Sequence, residues 1–244
     1  MKILIFDLIG KMGHFRKIDT NSSSLSYSFP PRTTIVGILA GILGMERDSY
    51  YEVFSPNQCQ IALSVRTPIR KVMQTVNYMF VKSKAHLNNS GGHTQIPLEL
   101  VLPGGEEANV RYRIYFSHSD RSIYESVRGR IQSSRYVYPP YLGLSELLGQ
   151  LNWVAEAEGT VMESRDAVPI HSVVRIPNLR ERSIQFSKET RFLKEFMTRQ
   201  FTNERMIQET DYYLFEQSRQ LVAILAVPYV SVAYGKEKEN ILWM

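Results

Sequence analysis

The 244-residue chain carries 29 basic against 24 acidic side chains, a formal charge of +5, with 43% hydrophobic and 22% charged residues. That balance excludes a disordered chain, allows one large domain or one domain with a smaller companion, and favours an anionic partner. Cys59 is the only cysteine, which excludes an internal disulfide and suits a reducing cytoplasmic compartment; the longest apolar stretch, 35–43, is far short of the ~20 residues that span a bilayer.

Residues 2–9 predict a strand apolar on both faces and hence central in its sheet. Asp7 interrupts that run before any small-residue cleavage site, against a signal peptide. Residues 10–28 combine glycines, a serine run and basic side chains, which is loop chemistry. Pro31 suits the first turn of a helix, Ile35, Ile38, Leu39 and Ile42 recur at helical spacing, and Gly44 ends it. Gly37 and Gly41 recur on the same helix. They imply close approach of another backbone or a tightly curved element, or else merely permit the helix to pack on a sheet.

"CQIALSVRT" (59–67) predicts a second strand, in which Cys59 is a small buried hydrophobe. "NVRYRIYFS" (109–117) predicts a third, with Tyr112, Ile114 and Phe116 on one face and Arg111, Arg113 and Tyr115 on the other. Between them, 69–107 alternates out to a polar tip, "HLNNSGGHTQ", and back, as a long projecting hairpin does. A second helix follows with Ile123, Val127 and Ile131 at compatible spacing, then "YPPYLGLSELLGQL" and a fourth strand, 153–163. Strand, helix, strand, strand, helix, strand is the α+β, ferredoxin-like order shared by RNA-recognition domains. Residues 164–244 read as a small β-rich appendage to the 1–163 domain. In it 188–200 is expected to form a short helix and 211–230 a hairpin turning at "QSRQ".

Three segments, "GHFRK", "SLSYSFPPRTTIVGILAGILG" and "YPPYLGLSELLG", together resemble the Cas-five family of CRISPR-associated proteins, the RAMP-superfamily subunit of type I Cascade complexes; the chain looks like a type I-B-like member. The resemblance runs from the first strand to about Gly149, with weaker support from "HSVVRIP". It implies a ferredoxin-like domain whose thumb-like hairpin helps cap the 5′ handle of the CRISPR RNA, set against the large subunit and a backbone subunit. It implies no cofactor, no small-molecule substrate and no membrane. Most such members bind without cutting, while a subset cleaves repeat RNA through a Tyr, Lys and His group.

Residue chemistry suits an RNA partner. The N-terminus of the first helix attracts phosphate, Arg32 supplies a fork and Thr33 and Thr34 supply hydroxyls. His14, Phe15, Arg16 and Lys17 place a ring among cations, and Tyr27 stacks a base or caps the core. Along the hairpin, Arg70, Lys71, Gln74, Asn77, Lys82 and Lys84 punctuate apolar residues, and Asn88, His93 and Gln95 lie where they would read base edges. Tyr136, Tyr138 and Tyr141 form a proline-stiffened corner suited to core, partner or base. No metal pair such as HxxxH joins His14, His86, His93, His118 or His171, and Walker and dinucleotide glycine patterns are absent. The alternative, metal-independent cleavage of repeat RNA, would need His86 or His93 to meet Lys71 and a tyrosine. A free-standing RNA-recognition protein is disfavoured, because "RYRIYF" lacks the usual signature order.

Overall fold

The chain was described as a computed structural model covering residues 1–20, 23–184, 191–217, 222–226 and 228–244. In chain order its first half holds β1 (Lys2–Gly10), β2 (Phe15–Arg16), β3 (Ser26–Tyr27), α1 (Arg32–Leu43), β4 (Cys59–Val65), β5 (Ile69–Met79), β6 (His93–Pro103), β7 (Val110–His118) and α2 (Arg121–Ser133). The second half is almost entirely strand: β8 (Gly149–Met162), β9 (Val168–Ile170), β10 (Val174–Arg175), β11 (Leu179–Ile184), β12 (Phe192–Phe201) and β13 (Ile207–Glu216). It closes with β14 (Val222–Ala226), β15 (Tyr229–Tyr234) and β16 (Glu237–Ile241).

β1 is apolar on both faces because both are covered. It pairs antiparallel with β7 and β8 in a six-stranded sheet ordered β16-β15-β8-β1-β7-β4. Leu4, Phe6 and Leu8 of β1 join Tyr112, Ile114 and Phe116 of β7 in one core with Ile35, Leu39 and Ile42 of α1 and Val127 and Ile131 of α2. Both helices therefore lie on the same face, and burying each such aliphatic side chain stabilises by about 1.5–3 kcal/mol. The left-handed Gly44 ends α1 as expected, its N–H bonded to the Gly41 carbonyl.

The opposite face is closed by the sheet curling on itself. Ile3, Ile5 and Tyr115 share a second cluster with Val230, Val232, Tyr234 and Ile241, and the Met244 N–H reaches the Ile61 carbonyl on the far edge strand at 2.8 Å. This curl buries a polar cluster. Arg113 clasps Asp7 through Nε (2.8 Å) and Nη2 (3.2 Å), while its Nη1 donates to Tyr234 Oη (2.8 Å) and Glu237 Oε2 (2.9 Å). Beside it Arg66 Nη2 donates to both Glu239 oxygens at 2.5 and 2.7 Å, and the hydroxyls of Tyr115 and Tyr234 donate to the same carboxylate.

Three expectations about the second half need correction. Residues 192–201 form strand β12, not part of a helix, because nine of its ten residues pair with β13 and that ladder outweighs the local preference; residues 188–190 lie outside those described. The hairpin expected over 211–230 does not form: β13 pairs with β10 and β12, whereas β14 pairs with β9 and β11, and three of the four residues of the expected turn, 218–220, are outside the described residues. Nor does the part after 163 stand apart. β15 and β16 extend the main sheet beside β8, and Met197, Tyr213, Phe215 and Met244 sit in the main core.

The 69–107 insertion forms a two-stranded ribbon, in register from Ile69 opposite Pro103 to Met79 opposite His93. Outside its own ladder it is joined to the body by isolated bridges, Gly13 with Val101 and Ser24 with Leu98.

Candidate functional site

A groove of about 690 Å³ runs along α1. Its floor is Thr34, Gly37 and Gly41, one wall is Tyr138 to Tyr141, and the other is Tyr50, Tyr51, Phe201 and Arg205; Phe15, Arg16 and Tyr27 close one end. Gly37 and Gly41 face the groove and are not crowded there. A methyl at Gly37 would have the Tyr50 hydroxyl as its near neighbour at 3.6 Å, and one at Gly41 would have Tyr138 Cβ at 3.9 Å. The glycine face is thus not packed on the sheet, a job done by Ile35, Leu39 and Ile42, but is kept low as the groove floor.

The Tyr138 wall is held by one obligatory glycine. Gly143 has φ of 93°, and a Cβ there would lie 1.7 Å from the His14 carbonyl oxygen, so no other residue fits without moving backbone. The His14 N–H bonds the Leu142 carbonyl at 2.9 Å. Tyr138 and Tyr141 are 60% and 44% exposed, whereas Tyr136 is turned inward with its hydroxyl on the Leu151 carbonyl. Of the three corner tyrosines, two present rings to the groove.

Several residues expected to touch RNA are instead structural. Arg32 is 3% exposed; its Nη2 donates to the carbonyls of Phe54 (2.6 Å) and Cys59 (2.8 Å), pinning the helix start to that loop. A guanidinium so engaged offers no fork to phosphate. Phe15 is 2% exposed and packs in a T-shaped contact with Tyr112. His14 is buried, with Nδ1 on the Glu99 carbonyl (2.8 Å) and Nε2 on Ser24 Oγ (3.0 Å). Tyr27 is buried, with Lys17 over its ring, and burial pushes its hydroxyl up to about 12. Lys17 and Lys71 are both drawn to buried Glu195, at 3.7 and 3.6 Å.

Other expected residues remain available. Arg16 is exposed at the groove end and Thr33 and Thr34 line its floor. α1 has no acidic residue in its first turn and no side-chain cap, so its positive end faces the groove unneutralised. On the ribbon Arg70, Gln74, Asn77, Lys82 and His93 are exposed. Strand alternation puts Arg70 and Gln74 on one face and Asn77 and His93 on the other, so they do not form a single stripe. Tyr50, Tyr51, Phe201 and Arg205 were missed. "SYY" just after α1 is the aromatic signal for the first two; nothing local marks Phe201 or Arg205, which β12 and its turn bring in from 150 residues away.

The histidines do not converge. His86 Nδ1 accepts from the Lys82 N–H at the ribbon tip, and Lys71 sits at the ribbon base, eight residues before Met79 opposite His93, a span of roughly 26 Å in extended strand. His118 is held by the Val53 carbonyl. Among the described residues no group of three or more His, Cys, Asp or Glu is placed to hold a metal ion, and no helix is long and apolar enough to cross a membrane.

Burial holds both His14 and His171 below the usual 6.5, the pull of nearby acceptors notwithstanding. As pH falls through 6.5 the unfolded chain takes up protons that the folded chain refuses, so stability is full above 6.5 and declines below it. The urea midpoint is expected to drop between about pH 7 and pH 5.5, and less so in His14→Asn. A flat midpoint across that window would show that neither ring is sealed from water.

Residues 3–118 match the family model described as CRISPR-associated protein (Cas_Cas5). The fold is similar to that of a CRISPR protein from Archaeoglobus fulgidus, with a TM-score of 0.60 at 12% identity over 98% of this chain and 99% of that one. It is also similar to a chain of a CRISPR RNA-guided surveillance complex (TM-score 0.52, 13% identity, 93% and 91% covered). A chain of the Type III-B Cmr-beta bound to cognate target RNA and AMPPnP matches at TM-score 0.50 and 12% identity, with 91% and 86% covered. No curated protein matches the chain in sequence.

Proposed function

We propose that the chain, whose residues 3–118 match the CRISPR-associated Cas5 family model, is a non-catalytic subunit of a type I effector complex that holds the 5′ handle of the CRISPR RNA. The observation that carries this reading is the groove: exposed Tyr138 and Tyr141 line it together with Tyr50 and Tyr51, with Arg16 and Arg205 among the lining residues. Single-stranded RNA is held by such a combination, because every base has a face to stack and every phosphate a charge to neutralise. The β8-β1-β7-β4 order with both helices on one face supports a ferredoxin-like core, on which the β5–β6 ribbon serves as the thumb, and the large subunit and a backbone subunit are the protein partners. Binding without cleavage is supported by the separation of His86 and His93 from Lys71.

Purified protein incubated with its own repeat RNA in the presence of a chelator is expected to bind it and leave it intact. Affinity is expected to fall with salt by about 0.7 log units per log unit for each phosphate contacted. Cleavage without metal would replace the scaffold by a processing nuclease. Absence of binding even at low salt would remove RNA as the partner.

A further inference from the structure

The groove and the ribbon are separate features, yet one polar junction joins the ribbon to elements that line the groove. Lys71 of β5 donates to the Ser26 carbonyl at 2.5 Å and lies 3.5 Å from Glu99 Oε2 and 3.6 Å from Glu195 Oε1. Glu99 of β6 accepts from the Ser26 N–H at 2.8 Å. Glu195 of β12, 6% exposed, accepts from the Ser28 N–H at 3.1 Å and from the Ser28 hydroxyl, and Lys17 approaches its other oxygen. Two cations and two carboxylates thus bind the ribbon base, the β2–β3 segment and β12 to one another.

Two of those elements run on into the groove: β2 and β3 supply Phe15, Arg16 and Tyr27, and β12 supplies Thr198 and Phe201. An isolated two-stranded ribbon is marginal by itself, and this one is tied to the body at its base by two isolated backbone bridges, the His14–Glu99 hydrogen bond and the burial of Ile69 and Val101 in the main core. A buried charge cluster adds little net stability, but it penalises every arrangement that leaves a member unpaired. It is suited to setting an angle.

We propose that Lys71 and Glu195 are positioning residues that fix the ribbon relative to the groove, so that an RNA strand crossing both meets one continuous site. This rests on the RNA reading above. Its signature is a gain in affinity with RNA length, since a second contact held at a fixed distance raises effective concentration. A single-stranded oligonucleotide of about 5 nucleotides, enough for the groove, and one of about 15, enough to reach the ribbon, serve as probes.

Wild-type protein is expected to bind the longer probe at least about tenfold more tightly than the shorter. Lys71→Met and Glu195→Gln should keep the affinity for the shorter probe and lose most of that gain, while Lys71→Arg keeps it. Equal weakening toward both probes, or an unchanged ratio, would overturn the positioning role. Amide exchange without RNA separates this from failure of the RNA reading. Glu195→Gln, though on another sheet, should speed exchange in residues 69–74 and 98–103, and Lys71→Met should speed it in β12; unaltered exchange across the junction would also overturn the proposal, whether or not RNA binds.

Discussion

Arg113→Met is expected to lower the unfolding free energy by about 3–5 kcal/mol, the usual cost of stripping one partner from a buried ion pair. Asp7 is 5% exposed and is held by Arg113 through two parallel hydrogen bonds. Without the guanidinium its carboxylate has lost the charge that compensated its removal from water. The Tyr234 hydroxyl loses a donor at the same time, while Glu237, being half exposed, recovers water. Urea denaturation measures the loss directly. Asp7→Leu combined with Arg113→Met should restore most of it, because apolar replacements of both partners remove the unpaired charge rather than stranding it. A single-variant loss below about 1 kcal/mol would mean that the cluster is solvated like a surface pair. No recovery in the double variant would mean that Arg113 acts chiefly through Tyr234.

The second large effect concerns binding. Tyr138→Ala with Tyr141→Ala is expected to weaken repeat RNA by roughly two orders of magnitude, since base stacking on an aromatic ring is worth about 1–3 kcal/mol per base. Both rings are exposed and carry no core packing to lose, so thermal stability should change little. The salt slope should also stay near the wild-type value, because no phosphate contact is removed. Undiminished affinity would move the RNA away from this wall of the groove. A loss accompanied by a shallower slope would show that the tyrosines position cations rather than bases.

Much of the first half was legible in sequence because its signals are local. The two-residue alternation of 110–118 separates Tyr112, Ile114 and Phe116 from Tyr115, and each set went to the core cluster its parity implied. Helix spacing located α1 and α2, and a terminal glycine marked the end of α1. Composition of the loops could not reveal which charged side chains stay in water. Arg32 has the neighbours of a phosphate ligand in sequence, but the carbonyls of Phe54 and Cys59 fold over it. Lys71 has the look of a ribbon cation, yet Glu195 arrives from more than a hundred residues away to engage it.

Strand and helix periodicity, the helix end at Gly44 and the projecting insertion were thus determined by the sequence itself, since each depends on residues a few positions apart. The second half and the binding surface were decided by tertiary structure. Whether 192–201 is strand or helix depends on the partner that completes its backbone hydrogen bonds, β13. Whether Gly37 and Gly41 pack on a sheet or line a groove depends on where the Tyr138 corner lands. Burial is a property of the assembled surroundings, and a buried guanidinium and a solvent-facing one are the same letter in the chain.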